Sequence, residues 1–148
     1  MSFPALQQLD LGSKSTTLNL TGTSGEASVF AARRLPPAID LVHLSRQTMG
    51  DRELEIELLQ MFDHQATLVL LRLRGHGQGA TQDRCDLAHK LKGSARAIGA
   101  VDVAAAAQAY EDSLLAGHAV AASDIALAAL STRIEEARAA ILQLLEGA

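Results

Sequence analysis

Residues 84–100, RCDLAHKLKGSARAIGA, are where reactive and charged side chains fall at a spacing with chemical meaning. His89 stands at the centre, with Lys92, Gly93, Ser94 and Arg96 following it. In a helix, with about 100° between residues, Leu87, Leu91 and Ile98 lie at about 160°, 200° and 180° from His89. Those three predict an apolar stripe that fastens the helix to a core. His89 then points away from the stripe, with Gln82, Cys85, Lys92, Gly93 and Arg96 within about 60° on either side. An imidazole nitrogen is a nucleophile that stays largely neutral near pH 7. Two cations beside it would stabilise a dianionic group placed on the ring by charge-assisted hydrogen bonds. Gly93 costs about 1 kcal/mol of helix stability relative to alanine. That cost makes sense if a partner's surface must approach the backbone there. The cluster describes a phosphoryl acceptor read by another protein.

Two other classes compete. Cys85 and His89, four residues apart on one face, are a usable pair of metal ligands. They would need about two more, from Asp86, His76 or His64, and Lys92 and Arg96 would repel a cation. The other alternative is a purely structural bundle whose apolar helix faces mediate association. His43, His64, His76 and His118 have no triad-like or HExxH context. Glu111 and Asp112 read as solvated residues near a helix end. No Gly-rich nucleotide loop is present, so phosphorylation directly from ATP is not supported.

The elements that must position His89 follow from periodicity. A short helix is expected after Asp40 as N-cap, with Leu41, Leu44 and Met49 inward and Gly50 ending it. Asp51 then caps a long helix to about Arg74, whose inward face is Leu54, Leu58, Met61, Phe62, Val69 and Leu73. Three glycines within 75–80 break it. The His89 helix runs from Thr81 or Gln82 to Ile98, with Gly99 forming its C-terminal turn. A further helix covers 101–116 with Val103, Ala107, Tyr110 and Leu114 on one face, and Gly117 ends it. Ser123 is the expected N-cap of the last helix, with Leu127, Leu130, Ile134, Ala137, Ile141 and Leu144 as a heptad-like seam. These predict an all-α fold, an up-down antiparallel four-helix bundle with a short N-terminal lead-in helix over 38–148. Residues 1–37, rich in Ser, Thr and Gly from Gly12 to Ser28, read as a flexible N-terminal arm closed by Pro36 and Pro37.

Composition sets the outer limits. Hydrophobic residues make up 48% of the chain and aromatic residues 3%, which supports a core built from Ala and Leu in helices. The net charge of −4 argues against a general nucleic-acid binder. With one cysteine no intramolecular disulfide can form. No signal peptide and no membrane-spanning run are visible, so a cytoplasmic location is expected.

The run His89-Lys90-Leu91-Lys92-Gly93-Ser94-Ala95 resembles the His-x-Leu-Lys-Gly-(Ser/Ala)-(Ser/Ala) signature of histidine-containing phosphotransfer (HPt) domains, and every specified position matches. DLVHLSRQTMGDRELEIELLQMF resembles the first helices of bacterial HPt domains, and IGAVDVAAAAQAYED the turn and helix after the histidine. The resemblance covers about residues 38–145. It implies that His89 is phosphorylated on its outward ring nitrogen, that Lys92 stabilises the phosphoryl group and that Gly93 leaves room for the partner. Leu91, Ser94 and Ala95 would hold the helix against the bundle. Arg96, Gln82 and Cys85 join the partner-facing set from the wheel alone. It further implies a non-enzymatic phosphocarrier with no cofactor of its own. Its partners would be receiver domains of response regulators and hybrid histidine kinases, which supply Mg²⁺ and most catalytic groups.

Overall fold

The computed structural model describes residues 37–75, 80–117 and 119–148. The arm expected before Pro37, together with His76 and His118, lies outside the described residues. The described chain forms five helices and no strand: α1 Leu41–Thr48, α2 Arg52–Gly75, α3 Thr81–Ile98, α4 Val101–Leu115 and α5 Val120–Glu146. Each of α2 to α5 packs on its neighbours in sequence, and α2 closes the ring against α5, while the diagonal pairs do not meet. The short lead-in helix α1 lies against α2 and α3. This is the all-α, four-helix arrangement that the periodicity predicts, with α2 and α5 tied by the Arg138–Asp63 (2.7 Å) and Arg74–Glu135 (3.1 Å) ion pairs.

Short side chains let the helices approach closely. Ala66, Ala88, Ala95 and Ala107 are fully buried beside Leu59, Leu91, Leu130, Ile134 and Ile141. Each large aliphatic side chain so buried is worth about 2 kcal/mol. Val103, Ala107, Tyr110 and Leu114 of α4 are buried as expected, and so are Leu130, Ile134, Ala137 and Ile141 of α5. Leu127 and Leu144 pack at the margin of the same core.

Several expected inward positions turn out otherwise. In α2 the core face is Leu59, Phe62, Ala66, Val69, Leu70 and Leu73. Leu54 and Met61 lie exposed and Leu58 is only half-buried. Apolar residues occupy two adjoining stripes of this helix, and packing against α3 and α5 selects the one that contains Ala66. Leu41 is also exposed, and Met49 is 95% exposed. Met49 is the left-handed C-cap of α1 (φ 53°), past the last helical residue, and Gly50 follows at φ 78°. Ser123 is not a cap: α5 starts at Val120 after Ala119, and Ser123 is buried inside its second turn. A serine near a helix start is only one way to satisfy the first N–H groups, and here no side chain caps them.

The turn between α3 and α4 positions the site, and it depends on Gly99. Asp40 caps α1 by accepting the His43 N–H at 3.0 Å, and its own N–H donates to the Gly99 carbonyl at 2.9 Å. Gly99 has φ 82°, and a Cβ there would meet the Asp40 carbonyl oxygen at 2.7 Å. Gly99→Ala is therefore expected to lower unfolding stability by about 2 kcal/mol or more, combining a left-handed penalty with displacement of the α1 cap. Urea unfolding measures it; a loss within about 0.5 kcal/mol would contradict this packing.

Candidate functional site

α3 presents His89 to solvent, with its side chain 67% exposed. The buried face of α3 is Cys85, Ala88, Leu91, Lys92, Ala95 and Ile98, with Leu87 half-buried at its edge. That face is centred about 70° from the expected stripe, so His89 sits beside the α3–α4 seam rather than diametrically opposite the core. The Leu and Ile positions alone mislocate it because Ala88 and Ala95 make the closest helix contacts, and Cys85 packs as a small apolar residue.

Two corrections to the expected site follow. Cys85 is 4% exposed and belongs to the core, so it cannot meet a partner or share a ligand with the outward His89. Burial, with Glu111 and Asp86 adding to it, pushes the Cys85 thiol up, away from the thiolate that metals bind. Among the described residues no group of three or more His, Cys, Asp or Glu side chains gathers where a metal ion could sit. Lys92 is also not a solvent-facing cation: its side chain is 9% exposed. Its Nζ donates to Glu111 Oε2 and Gln108 Oε1 of α4, both at 2.8 Å.

Glu111, expected to be solvated, is instead largely buried and joins Lys92 to His89. One carboxylate oxygen takes Lys92, and the other, Oε1, lies 3.3 Å from His89 Nδ1. The Lys92 hydrogen bond, opposed by burial and assisted by the Lys92 and His89 charges, holds the Glu111 carboxyl below its ordinary range. An ionised carboxylate only accepts hydrogen bonds, so Nδ1 must carry the proton in this contact. In the neutral ring that tautomer places the lone pair on Nε2, the nitrogen away from Glu111. Lys92 has three N–H groups, of which α4 takes two. Helix-hairpin arithmetic was the signal that could have found Glu111. His89 lies eleven residues before Ala100 and Glu111 eleven after, while Lys92 and Gln108 lie eight on either side. Residues equidistant from a tight antiparallel turn face one another.

The remaining expected residues divide by position. Gly93 is exposed, and a Cβ built on it meets nothing within 4 Å, so no helix packs against it. Its missing side chain is thus unexplained by the fold itself. Gln82 and Arg96 are exposed, one nearer each end of α3. Gln82 donates to Asp86 Oδ1 at 2.9 Å, and Arg96 has no ion pair among the described residues. Leu91 and Ala95 fasten α3 as expected, whereas Ser94 is half-buried and its hydroxyl donates back to the Lys90 carbonyl at 3.2 Å. At the start of α3, Arg84 Nε donates to the buried Tyr110 hydroxyl at 2.8 Å, locking α3 to α4. Burial pushes the Tyr110 hydroxyl up, and Arg84 opposes it.

The buried α3–α4 seam thus turns one imidazole outward, with a lysine three residues on and an open glycine next to it. The family model for the Hpt domain matches residues 41–140, which spans α1 to most of α5. The chain belongs to the Hpt domain family, whose members carry phosphoryl groups on histidine. Its fold is similar to that of a rice protein described as a histidine-containing phosphotransfer protein. The TM-score is 0.65 at 16% identity, covering 90% of this chain and 94% of the other. No curated protein matches the chain. None of the helices among the described residues is long and apolar enough to cross a membrane.

Proposed function

We propose that His89 accepts a phosphoryl group on Nε2 from a receiver-domain aspartate and passes it to a second receiver domain. The observation that carries this reading is the Glu111 bridge, which accepts from Nδ1 and so favours the neutral tautomer with its lone pair on Nε2, while keeping Lys92 within one carboxylate of the ring. Nε2 attacks phosphorus in line, and the aspartate oxygen leaves with the bonding electron pair. Lys92 turns its spare N–H to the developing charge, while Arg96 and Gln82 line the approach of the partner. In this reading the divalent metal and most catalytic groups belong to the receiver, and this chain contributes the nucleophile and a docking face.

Incubation with a receiver domain bearing labelled aspartyl phosphate tests the proposal. The label is expected to leave the receiver and appear on this chain as an acid-labile, alkali-stable group. Label that stays on the receiver, across a set of receivers from the same source, would count against it.

Gly93 supplies a sharper prediction. Gly93→Leu should preserve or slightly raise stability, because glycine costs a helix about 1 kcal/mol and the added side chain meets nothing. Transfer from a receiver should slow at least about tenfold, the effect of losing roughly 1.4 kcal/mol at a crowded interface. Uptake from the small donor phosphoramidate should be unchanged. Equal slowing with both donors would show that Gly93 does not serve partner approach.

A further inference from the structure

The second apolar stripe of α2 stays open to solvent once the core has formed. Leu54, Met61 and Leu68 recur at seven-residue steps, and Leu71 follows one turn after Leu68. All four are exposed, Met61 by 66%. Half-buried Leu58 fills the step between Leu54 and Met61. The stripe is centred about 100° around the helix from the buried Phe62, so the core does not use it. A seven-residue apolar recurrence is the seam of two helices packed along their length. On α4 and α5, by contrast, exposed Val101, Leu115 and Val120 stand singly at helix ends, as on any protein surface.

We propose that this stripe pairs two copies of the chain through an antiparallel, two-fold contact between their α2 helices. The charges flanking the stripe choose both the occupant and the orientation. Glu53 and Glu57 are exposed in the first half of α2, and Arg72 is exposed in its last turn. None of the three has an ion pair among the described residues. A face with one acidic end and one basic end complements itself when a second copy is turned end for end. With Met61 of one copy level with Leu68 of the other, Leu58 comes level with Leu71 and Glu57 with Arg72. The two-fold axis makes each of these pairs occur twice. A parallel pairing would instead set Glu57 beside Glu57 and Arg72 beside Arg72, which like-charge repulsion opposes. A face built for an unrelated protein has no need to complement itself; a face built for a second copy must.

The size of the stripe sets the strength of the contact. Its apolar side chains offer roughly 400 Å² per copy, enough to mark an interaction site on a monomer surface. Two such faces with their rims would bury on the order of 1,000 Å², the lower end for a specific contact. The dimer is therefore expected to be reversible, with Kd on the order of tens of micromolar. None of these residues belongs to the His89 site, so the pairing stands or falls independently of phosphoryl transfer.

Sedimentation velocity of the full chain from about 1 µM to about 1 mM tests the pairing. The wild type should pass from monomer to dimer as concentration rises. Met61→Glu and Leu68→Glu put a charge into the seam at exposed positions, where folding is little affected. Each should weaken the dimer at least about tenfold. Glu57→Arg and Arg72→Glu give a second, independent reading. Each alone should weaken the dimer about threefold or more, and the double variant, which restores opposite charges in reversed order, should regain most of the loss. A wild type that stays monomeric over the whole range would overturn the proposal. A dimer indifferent to Met61→Glu would overturn it too, by placing the contact elsewhere. If Met61→Glu slowed transfer from a receiver domain and left the mass unchanged, the stripe would serve the receiver and the proposal would fall. A charge swap that restores nothing would overturn the antiparallel arrangement.

Discussion

His89→Gln is expected to fold like the wild type and to take up no phosphoryl group from either a receiver domain or phosphoramidate. The folded state loses little because the side chain is 67% exposed and makes a single 3.3 Å contact with Glu111. Surface changes of this kind usually stay within about 0.5 kcal/mol. The chemistry loses everything, because an amide nitrogen has its lone pair delocalised and is not a nucleophile for phosphorus. Urea unfolding and label uptake, run side by side, check the two halves. Uptake in the variant above the level of a denatured control would mean that another residue carries the phosphoryl group.

Lys92→Met should be damaging in both respects. The substitution keeps an unbranched side chain of similar length but removes the cation between α3 and α4, leaving the Glu111 carboxylate without its closest partner. Breaking a fully buried pair costs about 3–5 kcal/mol; this pair keeps some exposure, and about 2 kcal/mol is expected. Transfer from a receiver should fall by about a hundredfold, as when one donor to a developing oxyanion is deleted. The double variant Lys92→Met with Glu111→Gln should regain part of the stability, since removing both partners leaves no orphaned charge, yet remain slow in transfer. If the double variant were as unstable as the sum of the singles, the two side chains would not be acting as a pair.

The difference between Lys92 and Arg96 shows where sequence reading succeeds and where it stops. The wheel makes both exposed cations beside His89, and it is right for Arg96. For Lys92 a long aliphatic stem and a charged tip reach across the seam to α4, so the residue is buried although it is charged. A single-helix wheel has no information about the facing helix. Helix order, the Asp40 and Asp51 caps and the left-handed turn at Gly99 were legible because each is decided by residues adjacent in sequence. The core stripes of α4 and α5 were legible because their apolar residues fall on one face. α2 misled, since Leu54 and Met61 extend the apolar surface beyond what α3 and α5 cover. Cys85 misleads through its chemistry: by spacing alone a thiol four residues before a histidine reads as a ligand, a partner contact or an incidental small residue, whereas beside two buried alanines it is core filling. Glu111 was missed because its partners lie 19 and 22 residues away, and only the hairpin geometry brings them together.

Locating the phosphoryl group tests the central claim most directly. The chain is charged by a phosphorylated receiver domain, kept at neutral to alkaline pH, and read by ³¹P-coupled NMR of the histidine rings, of which the sequence has five. The expected result is a single phosphoryl group bonded to Nε2 of His89, with His43, His64, His76 and His118 bare. A phosphoryl group on any of those four, on Nδ1 of His89, or on no histidine would contradict the account.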